Sequence, residues 1–142
     1  MFEKILAVID PIAWGTHTHV LEITCDLAQK YEAEIHLVHC SQLIAQKPEN
    51  GPRTTDLEKF LIQGTQIISD AVETVRIFGC VPTNCVIANG EPEEELSNLI
   101  EKTKADLIII SKGNSEHSEV YSILLNSILS HNDCVVMAVP GS

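Results

Sequence analysis

Short, nearly continuous apolar runs alternate along the chain with longer stretches whose apolar positions recur every three or four residues. The runs are "KILAVID" (4–10), "EIHLVHC" (34–40), "NCVIAN" (84–89), "ADLIIIS" (105–111) and "CVVMAV" (134–139). Runs of this kind read as strands buried on both faces of a parallel sheet. After the first run, Val20, Ile23, Leu27, Ala28 and Tyr31 fall at helical spacing and predict a helix of about four turns from Thr16. After the second, Leu57, Phe60, Leu61, Ile67, Ile68, Ala71, Val72 and Val75 form one stripe, with Thr55 and Glu58 at the spacing of a capping box and "FGCVP" as the stop. Gly90 and Pro92 open a third helix, which carries Glu93, Glu94 and Glu95 in its first turn and Leu96, Leu99 and Ile100 on its apolar face. A last helix is expected over about 117–130, before Cys134 begins the fifth strand.

Strands alternating with helices predict one α/β domain over residues 1–142, a parallel sheet covered on both faces. Only "SQLIAQKPENGPR" (41–53), with two prolines and a glycine, reads as a long irregular connection. In open sheets of this type ligands bind beyond the carboxyl ends of the strands, where strand order reverses. The candidate loops are those after strands one and four, "DPIAWGTH" and "SKGNSEH".

Composition narrows the partners. With 44% hydrophobic and 20% charged residues, the chain can bury a proper core, and no apolar run reaches the roughly 20 residues of a membrane-spanning helix. Nine basic against twenty acidic residues give a net charge of −11, which argues against nucleic acid and anionic membrane as partners. The start, "MFEKILAVID", lacks the features of a signal peptide, so a cytoplasmic location is expected. Five cysteines, none in a C-x-x-C pair, read as reduced, small hydrophobic residues.

Neither a Walker A sequence nor G-x-G-x-x-G occurs, and no nucleophile–base set is evident. His36 and His39 suggest a ligand pair, but a separation of three places them on opposite faces of a strand, so no metal is expected there. Gly90 serves a turn. Asp10, at the end of the first strand, can accept backbone hydrogen bonds, and Val38 can pack in a buried strand.

"KILAVID", "EIHLVHC", "GEPEEELSNLIEKTKADLIIIS" and "CVVMAVP" together resemble the universal stress protein family, over nearly the whole chain. The resemblance implies a five-stranded parallel sheet in the Rossmann-like order 3-2-1-4-5, a homodimer and, in one branch, an ATP site. In that branch G-x-x-G ends the fourth strand, and Gly followed by Ser or Thr comes nine residues later. Such glycines let backbone amides approach the phosphates with no Cβ in the way. Carried over, Asp10 lies near the adenosine, Val38 takes the adenine-contacting position, Gly90 joins the nucleotide-site residues, and Ser111, Gly113 and Ser122 fall at or beside the glycine positions. Here two of three glycines are serines, Ile123 replaces the hydroxyl residue, and the loop is about one residue short.

The resemblance is therefore closer to the branch that does not bind ATP. The expected function is a non-enzymatic, homodimeric binding or regulatory module with a degraded nucleotide site and no bound cofactor, acting on a protein partner that the sequence does not name. The alternative is an adenine-nucleotide sensor that holds AMP, ADP or ATP between the two loops. In the implied order the uncharged strand 134–139 is an edge, and pairing with the same strand of a second copy would cover it.

Overall fold

Five strands build one parallel sheet: β1 (Lys4–Ile9), β2 (Glu34–Cys40), β3 (Asn84–Ala88), β4 (Leu107–Gly113) and β5 (Val135–Pro140). Between them run α1 (Thr16–Tyr31), α2 (Thr54–Ile77) and α3 (Pro92–Thr103). The structure, a computed structural model, describes residues 2–9, 16–40, 54–113 and 134–140. The sheet order is β3-β2-β1-β4-β5, as the resemblance implied. The connection expected over 41–53 and the helix expected over about 117–130 lie outside the described residues.

Ile5–Ile9 of β1 and Leu107–Ile110 of β4 are wholly apolar because each face of the sheet meets a helical layer. On one side Leu6, Val8, Val38, Cys40, Ile108 and Ile110 form a cluster with Leu96, Leu99 and Ile100 of α3. On the other, Ile5, Ala7, Ile9, Leu37, Leu107 and Ile109 pack with Val20, Leu21, Cys25 and Ala28 of α1 and with Ala71 and Val75 of α2. The buried face of α1 is turned from the expected stripe, so that Ile23 and Leu27 lie at its margin while Thr24 is fully buried. Thr24 can be buried because its hydroxyl donates to the carbonyl of Val20 at 2.7 Å, so that the hydroxyl itself is satisfied.

Local chemistry explains most element ends. Gly79, at φ 89°, closes α2. Its N–H donates to Arg76 O at 2.9 Å, and that of Cys80 donates to Val75 O at 3.0 Å. This is the paired arrangement of a Schellman cap, in which a glycine takes the left-handed position without a Cβ penalty. Pro92 stands in the first turn of α3, after Glu91 in extended conformation.

Several boundaries differ from the sequence reading, among them the start of β4 at Leu107 where 105 was expected and the span of β5, Val135–Pro140 where 134–139 was expected. The second helix is already formed at Thr54, which makes Thr55 its second residue and not its cap. β3 ends at Ala88, one residue early. β4 runs two residues past Ser111, because pairing with β5 continues through Ser111↔Val139 and Gly113↔Pro140. Side-chain hydrophobicity falls off at Ser111, but a strand ends where its backbone loses a partner.

One helix position answers to the sheet beneath it. Gly64, buried in α2, lies over His39, and a Cβ added there would stand 3.0 Å from His39 Cδ2 and 3.5 Å from Ile87 Cγ2. His39 is fully buried, so its ring has little room to retreat. Gly64→Ala should therefore lower stability by about 1 kcal/mol or more, despite the roughly 1 kcal/mol that alanine gains over glycine in a helix. In a His39→Ala background the same change should become neutral or stabilising, which a double-mutant cycle of denaturant midpoints would measure.

Candidate functional site

The ladders between strands are of unequal length, and the difference locates the split between the two halves of the sheet. β1 pairs with β2 as far as Ile9↔His39, β2 with β3 as far as Cys40↔Ala88, and β4 with β5 as far as Gly113↔Pro140. β1 pairs with β4 only through Ile5↔Leu107, Leu6↔Ile108 and Ala7↔Ile109. Past Ala7 and Ile109 the two halves of the sheet part, at the point where strand order reverses. The described side chains at the opening (Ala7, Val8, Ile9, Ile109 and Ile110) are all apolar and buried. α1 follows β1 with its amino end towards this side of the sheet, an orientation that favours anions.

The expected site residues are only partly gathered there. Ser111 and Gly113 lie on the β4 side of the gap, in strand and not in loop, with a shift of register between them. Val38 is completely buried, in register between Val8 and Val86 and within the cluster on the α3 side. Its position is a packing position in the sheet. Gly90 follows the edge strand β3, two strands away from the gap on the β1 side. A Cβ on Gly90 would meet the Glu95 carboxylate, so the close neighbour of this glycine is its own helix. Asp10 and Ser122 lie outside the described residues.

His36 and His39 point to opposite faces, as their spacing requires. His39 packs under Gly64 on the α2 side. His36 Nε2 lies 3.3 Å from the exposed Glu34 carboxylate. Among the described residues no group of three or more His, Cys, Asp or Glu could hold a metal ion, and no helix is long and apolar enough to cross a membrane.

The sequence reading overlooked Asp106. Its Oδ2 accepts the N–H of Glu3 at 2.8 Å and its Oδ1 that of Lys4 at 3.1 Å. Its backbone N–H donates to Lys4 O, and its carbonyl accepts from Val135 N–H at 3.0 Å. One residue thereby joins β1, β4 and β5 at their amino ends, opposite the gap. An Asp directly before an apolar run was the available signal, since its short carboxylate readily takes up backbone amides at strand and turn boundaries.

Several thiols are set against ionisation. Burial, and then the Glu95 carboxylate, push Cys40 up to about 12. Burial, and then Asp106, push Cys134 up to about 11. Burial raises Cys85 as well. None of these three supplies a thiolate nucleophile at neutral pH.

A sequence profile described as the universal stress protein family matches residues 1–140. Among curated proteins there is no significant match. Solved structures are similar in fold over almost the full length. A universal stress protein in complex with cAMP has a TM-score of 0.72 at 14% identity, covering 99% of each chain. The universal stress protein of Archaeoglobus fulgidus in complex with dAMP has a TM-score of 0.67 at 17% identity, covering 98% of each chain. A family protein from Arabidopsis thaliana with AMP bound has a TM-score of 0.64 at 14% identity, covering 99% of this chain and 92% of that one.

The raised thiols set an alkaline limit on stability. The folded protein keeps the Cys40 proton up to about 12, whereas the unfolded chain loses it near the ordinary value of 9.0. Between those values the folded state binds more protons, so stability falls as pH rises through the window and does not change on this account below it. The slope is at most about 1.4 kcal/mol per pH unit for each such thiol. Denaturant midpoints measured from pH ~8 to ~11 should fall, and Cys40→Ala should make the fall shallower.

Proposed function

The chain belongs to the universal stress protein family, and from that premise we propose that it is a non-enzymatic, cytoplasmic binding or regulatory module that works as a homodimer and has lost the polyphosphate cradle. One observation carries the reading. Ser111 and Gly113, which align with the start of the cradle, are held in the β4–β5 ladder opposite Val139 and Pro140. A backbone engaged in a ladder is not free to turn successive amides towards a phosphate. The exchange of glycine and hydroxyl for Ser122 and Ile123 works in the same direction, and a net charge of −11 opposes a further polyanion.

A second reading is favoured by the structural relatives. Solved universal stress proteins of the same fold are complexes with cAMP, dAMP and AMP. Each of these ligands has one phosphate. An apolar gap between β1 and β4 suits an adenosine moiety held with little help from a phosphate cradle, so an adenine mononucleotide is the ligand to test first.

Thermal-shift titration with AMP, ADP and ATP, with and without Mg²⁺, separates the two readings. A 1 µM site at ~1 mM nucleotide would add about 4 kcal/mol, a shift of roughly ten degrees in a domain of this size. ATP is expected to give a shift well below that. A shift for AMP alone would support the second reading, and sub-micromolar ATP affinity by calorimetry would overturn the loss of the polyphosphate cradle and leave the nucleotide sensor standing.

The dimer reading rests on β5, which pairs with β4 on one side only and leaves Val135 about half exposed. The Val135 N–H is turned to Asp106, so alternation along the strand directs the Val136 N–H to the open edge. Antiparallel pairing with the same strand of a second copy, centred near Val136 and Met137, would satisfy that edge. Val136→Pro removes an outward donor without touching the ladder to β4, and should give a monomer or an insoluble protein. Light scattering on the unaltered protein should report a dimer at micromolar concentration, and a monomer there would refute the edge pairing.

A further inference from the structure

Cys25 and Cys80 are 55 positions apart in the chain and meet where α1 lies against the end of α2. Cys25, on the buried face of α1, is 1% exposed, and its Sγ lies 3.9 Å from the carbonyl oxygen of Val75. That same oxygen accepts the Cys80 N–H at 3.0 Å in the cap that ends α2. Cys80 Sγ is in turn 3.8 Å from the carbonyl oxygen of Cys25. Cys80 is half-buried against the same cluster, and both thiols are free. These contacts make the two residues neighbours; burial first, and then the adjoining Cys80 side chain, push Cys25 up to about 12. Packing as a small hydrophobe accounts for Cys25, but not for a second thiol laid against it with a route to solvent.

We propose that Cys25 and Cys80 form a dithiol pair that a hydroperoxide oxidises to a disulfide, pinning α1 to the carboxyl end of α2. Cys80 is the entry point because it is the solvent-reachable member. Its sulfur attacks one oxygen of the peroxide, the O–O bond breaks, and sulfenic acid forms with the alcohol of the hydroperoxide as the other product, which is water when the oxidant is hydrogen peroxide. The Cys25 sulfur, a thiol held well above neutral in the reduced pair, gives up its proton as it displaces the hydroxyl from the Cys80 sulfur, so this second step is slow at neutral pH and quickens as pH rises; the released oxygen leaves as water with that proton. The two sulfurs lose two electrons and the peroxide gains two. Cys25 is held beside the sulfenic acid, and that proximity favours the intramolecular step over attack by an external thiol. The bond would tether α1, the helix whose amino end faces the gap between β1 and β4.

Treatment of the full chain with hydrogen peroxide, alkylation of the remaining thiols after denaturation, and peptide mapping by mass spectrometry test the pair. The expected product is one cross-linked peptide joining Cys25 to Cys80, lighter by two hydrogens than its parts and released by dithiothreitol. A bond from Cys80 to Cys85 or between chains, or five thiols all still alkylated, would overturn the proposal. Cys25→Ala keeps the core apolar and removes the partner. In that variant Cys80 should be trapped as a dimedone adduct, and a lack of adduct would overturn the order of steps.

Discussion

Asp106 holds together the amino ends of strands that are not neighbours in sequence. Its carboxylate takes up the N–H groups of Glu3 and Lys4, and its own carbonyl takes up that of Val135. A charge-assisted bond to a backbone amide is among the stronger hydrogen bonds available to a protein. It acts where the β1–β4 ladder starts, and that ladder has only three residue pairs before the strands part. The closed lower end and the open upper end of the seam are two sides of one constraint. With β1 held to β4 at the bottom and to β2 along its length, the sheet's twist is left to open the seam at the top.

The helical layers accept this seam at some local cost. α2 passes close enough to β2 that a Cβ at Gly64 would crowd the His39 ring, and the glycine there comes at a cost to the helix. α1 buries a threonine and a cysteine on its inner face, and the threonine hydroxyl is satisfied by its own helix. Cys25 and Cys80 join the two helices on the side where α2 ends. The layer nearest the opening is thus held by small side chains and short polar contacts as well as by large apolar ones.

For function, the arrangement separates two properties that the family resemblance brings together. A gap at the switch point is a matter of strand order, and this chain has it. A phosphate cradle is a matter of backbone freedom after β4, and here the backbone stays in the ladder to Gly113. An apolar gap beside an occupied strand end suits a ligand with a flat apolar part and little charge, or a protein partner, better than a polyphosphate. The acidity of the chain weighs the same way.

The sequence by itself determined the strands, the alternation with helices and the parallel, doubly covered sheet. These depend on local periodicity, and runs such as "LIII" in β4 leave few alternatives. It also determined that His36 and His39 face apart, since strand geometry alone decides that. Strand order came from resemblance, because no local pattern says that β4 lies beside β1. Only the tertiary structure decided that β4 runs on to Gly113, that Val38 is fully buried, that a Cβ on Gly64 would crowd His39, and that Cys25 lies beside Cys80. Each of these turns on a neighbour dozens of residues away. A one-dimensional pattern records what a residue prefers, but it carries no information on which distant group will stand beside it.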